Sequence, residues 1–214
     1  MSDEATTAGN TIGDWLAVLA SDHATPGGGA VAGLSGAAGA GLLAMTGRLT
    51  VGRDGFDDVE LRMRDLIAQA DAARARFLEF ADEDAHAFDG VIQAIRMPKD
   101  TDDERAVRAT AIQRGYVEAA SVPLEVARAA VDLLPLAEDA TALGNPQASS
   151  DGYCGAIALY AAARCAIANV LINAASLKDD RQRDDLIDAA QTLRDRADEL
   201  LVQSETAFKL RTLP

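Results

Sequence analysis

A run of small residues behind a triple glycine is the feature that most narrows what this chain can fold into. After His23-Ala24-Thr25-Pro26-Gly27-Gly28-Gly29, small residues recur every four positions at Gly29, Gly33, Ala37 and Gly41. A second row, Ala32, Gly36, Ala40 and Ala44, runs beside them. That spacing puts each row on one face of an α-helix. Glycine inside a helix costs about 1 kcal/mol against alanine. A helix from about Ala30 to Thr50 that keeps so many therefore implies very close approach by another backbone or by a flat ligand.

The remaining pattern is helical too. Apolar content is 49%, dominated by alanine, and aromatics are 4%. Alanine is the best helix former because it has no side-chain entropy to lose. Thr11 with Asp14 reads as an N-cap and acidic N3 of a short helix over Ile12–Ala20. Residues 57–97 carry a 3.6-residue apolar period through Leu66, Ala70, Phe77, Phe80, Ala81, Phe88 and Val91, with a possible kink at Gly90. Thr101 caps a helix opened by Asp102, Asp103 and Glu104. Pro123 restarts or kinks the chain, Pro135 kinks it again, and Gly144 ends the helix. An apolar helix spans 153–177 and an amphipathic one about 181–209. No strand pattern and no internal repeat is present. The expected fold is all-α: a single-domain multihelical bundle over 11–210 with long, partly kinked central helices, behind a disordered acidic tail at 1–10.

The formal charge of −14, with 24 Asp, 10 Glu, 17 Arg and 3 Lys, argues against nucleic acid or an anionic membrane surface as partner. Either a GC-rich genome with a solvated surface or adaptation to high salt produces such a balance. Residues 30–47 are too weakly apolar for a membrane span, and 153–177 hold Arg164, Asn169 and Asn173 at mid-span, where they would be expensive. Both read as buried helices of a soluble bundle. Cys154 and Cys165 lie eleven apart in one helix, roughly 16 Å, beyond the ~7 Å a disulfide allows. Two free thiols and an N-terminus without a basic or apolar segment suit the cytoplasm.

Among candidate chemical groups, Asp84 stands out because it falls on the apolar stripe of residues 57–97. Burial raises a carboxyl's pKa, which is how a general acid/base near neutral pH is made. A buried Asp satisfied by a neighbouring helix fits the same pattern. Glu83-Asp84-Ala85-His86 contains half of a di-iron motif, but the only other histidine, His23, is in a loop, and no metal site is expected. The Thr25–Gly29 loop opens a helix whose free amides can hold an anion or a carbonyl; it also reads as a simple tight entry. Asn169 and Asn173 share one helix face and must find partners, in other helices or in a ligand. Arg164 reads as an ion-pair partner or an anion clamp.

Several fragments in order carry a resemblance: Thr25-Pro26-Gly27-Gly28-Gly29, Val31-Ala32-Gly33-Leu34, Asp84-Ala85-His86-Ala87-Phe88, Met97-Pro98-Lys99, Val122-Pro123-Leu124-Glu125, Gly144-Asn145, Ser150-Asp151 and Asn169-Val170-Leu171-Ile172-Asn173. Together, over about 15–178, they resemble the formimidoyltetrahydrofolate cyclodeaminase and methenyltetrahydrofolate cyclohydrolase family. Ala30 departs from it, where serine is frequent. The resemblance implies an all-helical homodimer acting on a tetrahydrofolate one-carbon derivative, with no metal and no separate cofactor. It implies Asp84 as the catalytic group and Pro26, Gly27, Gly28, Gly29, Asn145, Asp151, Asn169, Asn173 and Lys99 as substrate-binding positions. Cyclohydrolase is the favoured activity, cyclodeaminase the alternative, and a catalytically silent helical dimer the second. The anionic folate tail calls for a basic mouth, with Arg48, Arg53 and Lys99 as candidates.

Overall fold

The computed structural model describes residues 7–9 and 11–212. Six α-helices follow one another: α1 (Ile12–Leu19), α2 (Gly28–Arg48), α3 (Glu60–Arg96), α4 (Asp102–Leu143), α5 (Ser149–Ala174) and α6 (Asp180–Thr212). Short 3-10 turns lie at Thr7–Gly9, Asp57–Val59 and Pro146–Ala148, and there is no strand among the described residues. Thr11 accepts from the Asp14 backbone N–H, and Thr101 with Glu104 forms a complete capping box, so both expected helix starts are chemically defined.

The five long helices run alternately up and down, with α2 at the centre between α3 and α5, and α4 and α6 packed beyond. Small residues set this arrangement. A Cβ on Gly33 would lie 2.6 Å from the Phe77 carbonyl oxygen of α3, and one on Gly39 would lie 2.9 Å from the Gly155 carbonyl oxygen of α5. Backbone approach on both sides of α2 is what the small rows allow. Into the layers between them go Leu43, Met63, Leu66, Phe77, Leu134 and Leu159, all fully buried. α2 and α5 are apolar enough and long enough to cross a membrane; here they pack against each other in the bundle, with 56% and 44% of their apolar stretches buried.

Two expectations change. Pro123 and Pro135 neither restart nor break the chain: α4 runs through both as one helix. Its packing against α3, α5 and α6 outweighs the lost N–H groups. The pattern over 57–97, Gly90 included, forms one α3 as expected. The disordered tail does not include Thr7–Gly9, because Thr7 donates from its N–H (2.8 Å) and its hydroxyl (2.6 Å) to Asp82 Oδ1 on α3. Residues 1–6 and 10 of that expected tail lie outside the described residues.

Because α2 begins at Gly28 while α3 and α4 extend well past it, one end of the bundle carries a step. The N-terminus of α2, the middle of α3, the first half of α4 and the last turns of α5 meet there.

Candidate active site

At the step lies a cavity of about 260 Å³ walled by Gly27, Gly28, Asp84, Phe88, Ala119, Asn169, Ile172 and Asn173, with Ala24 and Thr25 at its edge. Asp84 is brought in by its place on α3, one turn before Phe88. Its carboxylate lies directly over Gly29: a Cβ there would be 2.1–2.3 Å from the Asp84 carboxyl atoms. No hydrogen bond or ion pair to the carboxylate is formed among the described residues. Burial alone pushes the Asp84 carboxyl above its ordinary value. The reading of a buried Asp satisfied by a neighbouring helix therefore fails, and a desolvated, uncompensated acid faces the cavity.

Opposite it is the first turn of α2. The first backbone bond of that helix is Val31 N–H to the Gly27 carbonyl, 3.0 Å, and the Gly27 cap has no side chain to offer. The N–H groups of Gly28, Gly29 and Ala30 consequently have no acceptor among the described residues. Donors at a helix N-terminus beside a carboxylate can hold an oxygen on which charge develops while the carboxylate moves its proton.

α5 supplies the third wall. Asn169 and Asn173, one turn apart, both line the cavity. Asn169 Nδ2 donates to the Cys165 carbonyl at 2.9 Å, and Asn173 Nδ2 donates to the Ala119 carbonyl of α4 at 2.8 Å. Each keeps its Oδ1 uncommitted.

Asp84, Gly27, Gly28, Gly29, Asn169 and Asn173 are thus assembled as the sequence suggests. Pro26 lies just behind, in an adjoining cavity of about 220 Å³ shared with Trp15, Asp82 and Thr25. Asn145, Asp151 and Lys99 are elsewhere. Asn145 caps the Pro146–Ala148 turn, accepting from Gln147 N–H at 3.0 Å and donating to the Leu49 carbonyl at 3.1 Å. It therefore sits beyond the C-terminus of α2, one helix length, roughly 30 Å, from Gly28. Asp151 is in the first turn of α5, at that same far end. Lys99 is exposed in the α3–α4 loop, and its carbonyl accepts from Arg105. The basic mouth is not found either: Arg48 ends α2 and pairs with Asp71, and Arg53 follows it at the far end. Arg164 is an ion-pair partner, bonded to Asp198 and Tyr160 on α5 and α6. Ala119 and Ile172 are wall residues that carried no sequence signal of their own, being ordinary apolar positions.

A larger groove of about 500 Å³ runs between α4 and α6 beside Val202, Leu210 and Arg211. There the two terminal nitrogens of Arg211 donate to the Ala142 and Gly144 carbonyls, its buried Nε has no partner among the described residues, and Glu138 lines the same groove. Among the described residues, no three His, Cys, Asp or Glu side chains converge as a metal site would require.

Comparison with known proteins agrees with this architecture. The family model described as Formiminotransferase-cyclodeaminase matches residues 11–192. A methenyltetrahydrofolate cyclohydrolase of Methylorubrum extorquens is 38% identical over 173 residues, 80% of this chain and 83% of that protein. The mouse formimidoyltransferase-cyclodeaminase is 41% identical over 157 residues, 73% of this chain but 29% of its own length. The crystal structure of a formiminotetrahydrofolate cyclodeaminase from Thermotoga maritima superposes with a TM-score of 0.84 at 26% identity, over 94% of this chain and 96% of that one. The chain belongs to the formiminotransferase-cyclodeaminase family.

Proposed function

We propose that this protein is a methenyltetrahydrofolate cyclohydrolase, which adds water to the methenyl carbon of 5,10-methenyltetrahydrofolate and opens the ring to 10-formyltetrahydrofolate. The observation that carries the reading is the Asp84 carboxylate, desolvated and unpartnered in a cavity facing the free amides of α2. The methenyl carbon lies between N5 and N10 and shares a positive charge with them. Asp84 takes a proton from water as the oxygen bonds to that carbon, giving a neutral tetrahedral centre. It then delivers the proton to N5 as the carbon–N5 bond breaks. The remaining hydroxyl proton leaves to solvent as the formyl carbonyl forms on N10. The α2 amides are placed to hold that oxygen, and Asn169 and Asn173 to hold the ring.

The cyclohydrolase of Methylorubrum extorquens supports this assignment because it is matched over most of its length, whereas the mouse protein is matched over less than a third. A second reading, closure of N10 onto a 5-formimidoyl group with loss of ammonia, is favoured by the likeness to the Thermotoga maritima structure and would use the same aspartate. In the same proposal the working form is a cytoplasmic homodimer needing no metal and no cofactor beyond its folate substrate. Exposed Phe88 and Ile172 at the cavity mouth, and Ile12 and Leu16 on α1, support coverage by a second copy.

The test is the loss of 5,10-methenyltetrahydrofolate absorbance above the uncatalysed rate, for wild type and for Asp84→Asn. Fast loss with wild type and background with the variant is the expected result. Background with both, from folded protein, sinks the cyclohydrolase, and 5-formimidoyltetrahydrofolate becomes the substrate to assay. A rate unchanged by Asp84→Asn removes the aspartate from the chemistry. Tight folate binding with no turnover of either substrate leaves a silent binder.

A further inference from the structure

The buried Pro123 inside α4 is a residue that the chemistry above does not use, and it is linked to Asn173 near the end of α5 through one carbonyl. Pro123 has no N–H, so the carbonyl four residues earlier, that of Ala119, lacks its helical donor. Ala119 is in the cavity wall, and its carbonyl accepts instead from Asn173 Nδ2 at 2.8 Å, across the α4–α5 interface. One turn along α5, Asn169 Nδ2 is held by the Cys165 carbonyl. Turning either amide over would set oxygen against oxygen, so both are fixed with nitrogen on the protein and Oδ1 uncommitted. With the Asp84 carboxylate, the α3 and α5 walls offer the cavity acceptors, while the donors are on α2.

We propose that Pro123 is a positioning residue for ligand recognition: by freeing the Ala119 carbonyl it pins the Asn173 amide, so that α5 reads the N–H edge of the bound ring through the Oδ1 atoms of Asn173 and Asn169. The inference rests on the folate reading. A tetrahydropterin carries donors at its 2-amino group, N3 and N8, and its 4-oxo oxygen lies beside N5. Reading the donors from α5 turns the 4-oxo oxygen and N5 toward the α2 amides and Asp84, where the proton is delivered.

The experiment is calorimetric titration, without oxygen, of tetrahydrofolate and of its 2-desamino-2-methyl analogue into the full chain. Wild type, Asn173→Leu and Pro123→Ala are compared, with the Tm of each. Wild type prefers tetrahydrofolate by about ten-fold or more, since the analogue leaves an acceptor unpaired. Asn173→Leu brings the two ligands within about two-fold. In Pro123→Ala the new N–H competes for the Ala119 carbonyl, and the preference drops several-fold while Tm holds or rises. A proline with only a structural role would change Tm and leave the preference alone. Equal affinity of wild type for both ligands, or a preference unmoved in Asn173→Leu, overturns the asparagine assignment. A preference unmoved in Pro123→Ala overturns the proline's role, and that variant carries the test if Asn173→Leu does not fold. In each of these cases tetrahydrofolate still binds. Wild type binding neither ligand is the separate result that would bring down the folate reading itself.

Discussion

Adding one methyl group at Gly29 tests the site more sharply than removing the acid does. The Cβ of Gly29→Ala would stand 2.1 Å from Asp84 Oδ1 and 2.2 Å from its Cγ. Ordinary contact begins near 3.5 Å, so the carboxylate must retreat by more than about 1 Å. Displacement of that size costs about 100-fold in rate. Stability changes much less. Alanine is worth up to about 1 kcal/mol in a helix, overpacking costs about 1–3 kcal/mol, and the carboxylate can swing into the cavity. The net loss is therefore about 0–2 kcal/mol, a fall in Tm of at most about 4–8 °C for a chain of this length. The assay is decay of methenyltetrahydrofolate absorbance at saturating substrate, with circular dichroism melting on the same preparation. The expected outcome is a kcat down about 100-fold with a cooperative, near-native melt. A folded Gly29→Ala with kcat within about three-fold of wild type would refute the reasoning, because the position of Asp84 would then not matter.

Five further outcomes are expected. The raised pKa of Asp84 contributes stability that is present below the unfolded value and is lost as pH rises through the folded value. Asp84→Asn should thus melt level with wild type in acid and gain on it toward neutral pH; a gap independent of pH contradicts the uncompensated charge. Since the ionised form does the work, kcat/KM should fall as pH drops, with its limb above the ordinary carboxylate range. Gly90→Ala, where a Cβ meets nothing within 4 Å, should add about 1 kcal/mol, read as a Tm rise of ~2–4 °C without change in KM. Asn145→Ala should cost about 1 kcal/mol by loss of its cap and leave KM unchanged; a raised KM would instead bring the Asn145 of a second copy into the site. With a net charge of −14, Tm should rise between ~0.1 and 1 M NaCl as self-repulsion is screened, and a fall would give the surface Arg–Asp pairs the larger share.

Much of this was legible in the chain. Periodicity placed every long helix within a few residues, and Asp84 was marked by being the carboxylate on an apolar stripe. The errors have identifiable causes. Pro123 looked like a restart or a kink because local propensity favours one, yet α4 packs on its neighbouring helices and runs through it as one helix. Asn145 and Asp151 were grouped with Asn169 and Asn173 because the family resemblance implies all four as substrate-binding positions. Length alone argues against it: 18 residues separate Asp151 from Asn169 on α5, roughly 27 Å, which one small cavity in one chain cannot span. Arg48, the last residue of α2, and Arg53, just beyond it, lie too far from Gly28 by the same measure. What no single-chain pattern could show is the bond from Asn173 to Ala119, since it joins a side chain to a carbonyl 54 positions away.

The glycines that opened the sequence reading divide into two classes once their neighbours are known. At Gly33 and Gly39 the missing Cβ would strike backbone atoms of α3 and α5, so those positions set how closely three helices pack. At Gly29 it would strike the Asp84 carboxylate, and at Gly28 the Asn169 amide at 3.1 Å. Gly29 and Gly33 share one four-residue row, which thus meets the acid of the candidate site at its first turn and the backbone of α3 one turn on. This follows from where α2 starts. Its N-terminus lies one step inside the bundle, so the last helices it touches there present side chains rather than backbone. The glycines that bring those side chains close also give the first turn a cap with no side chain of its own. Its amides stay free beside an acid that has no partner. A chain with alanine at 28 and 29 would keep the bundle and lose the juxtaposition of donor and acid, which is why the triple glycine is assigned to the proposed chemistry as well as to the fold.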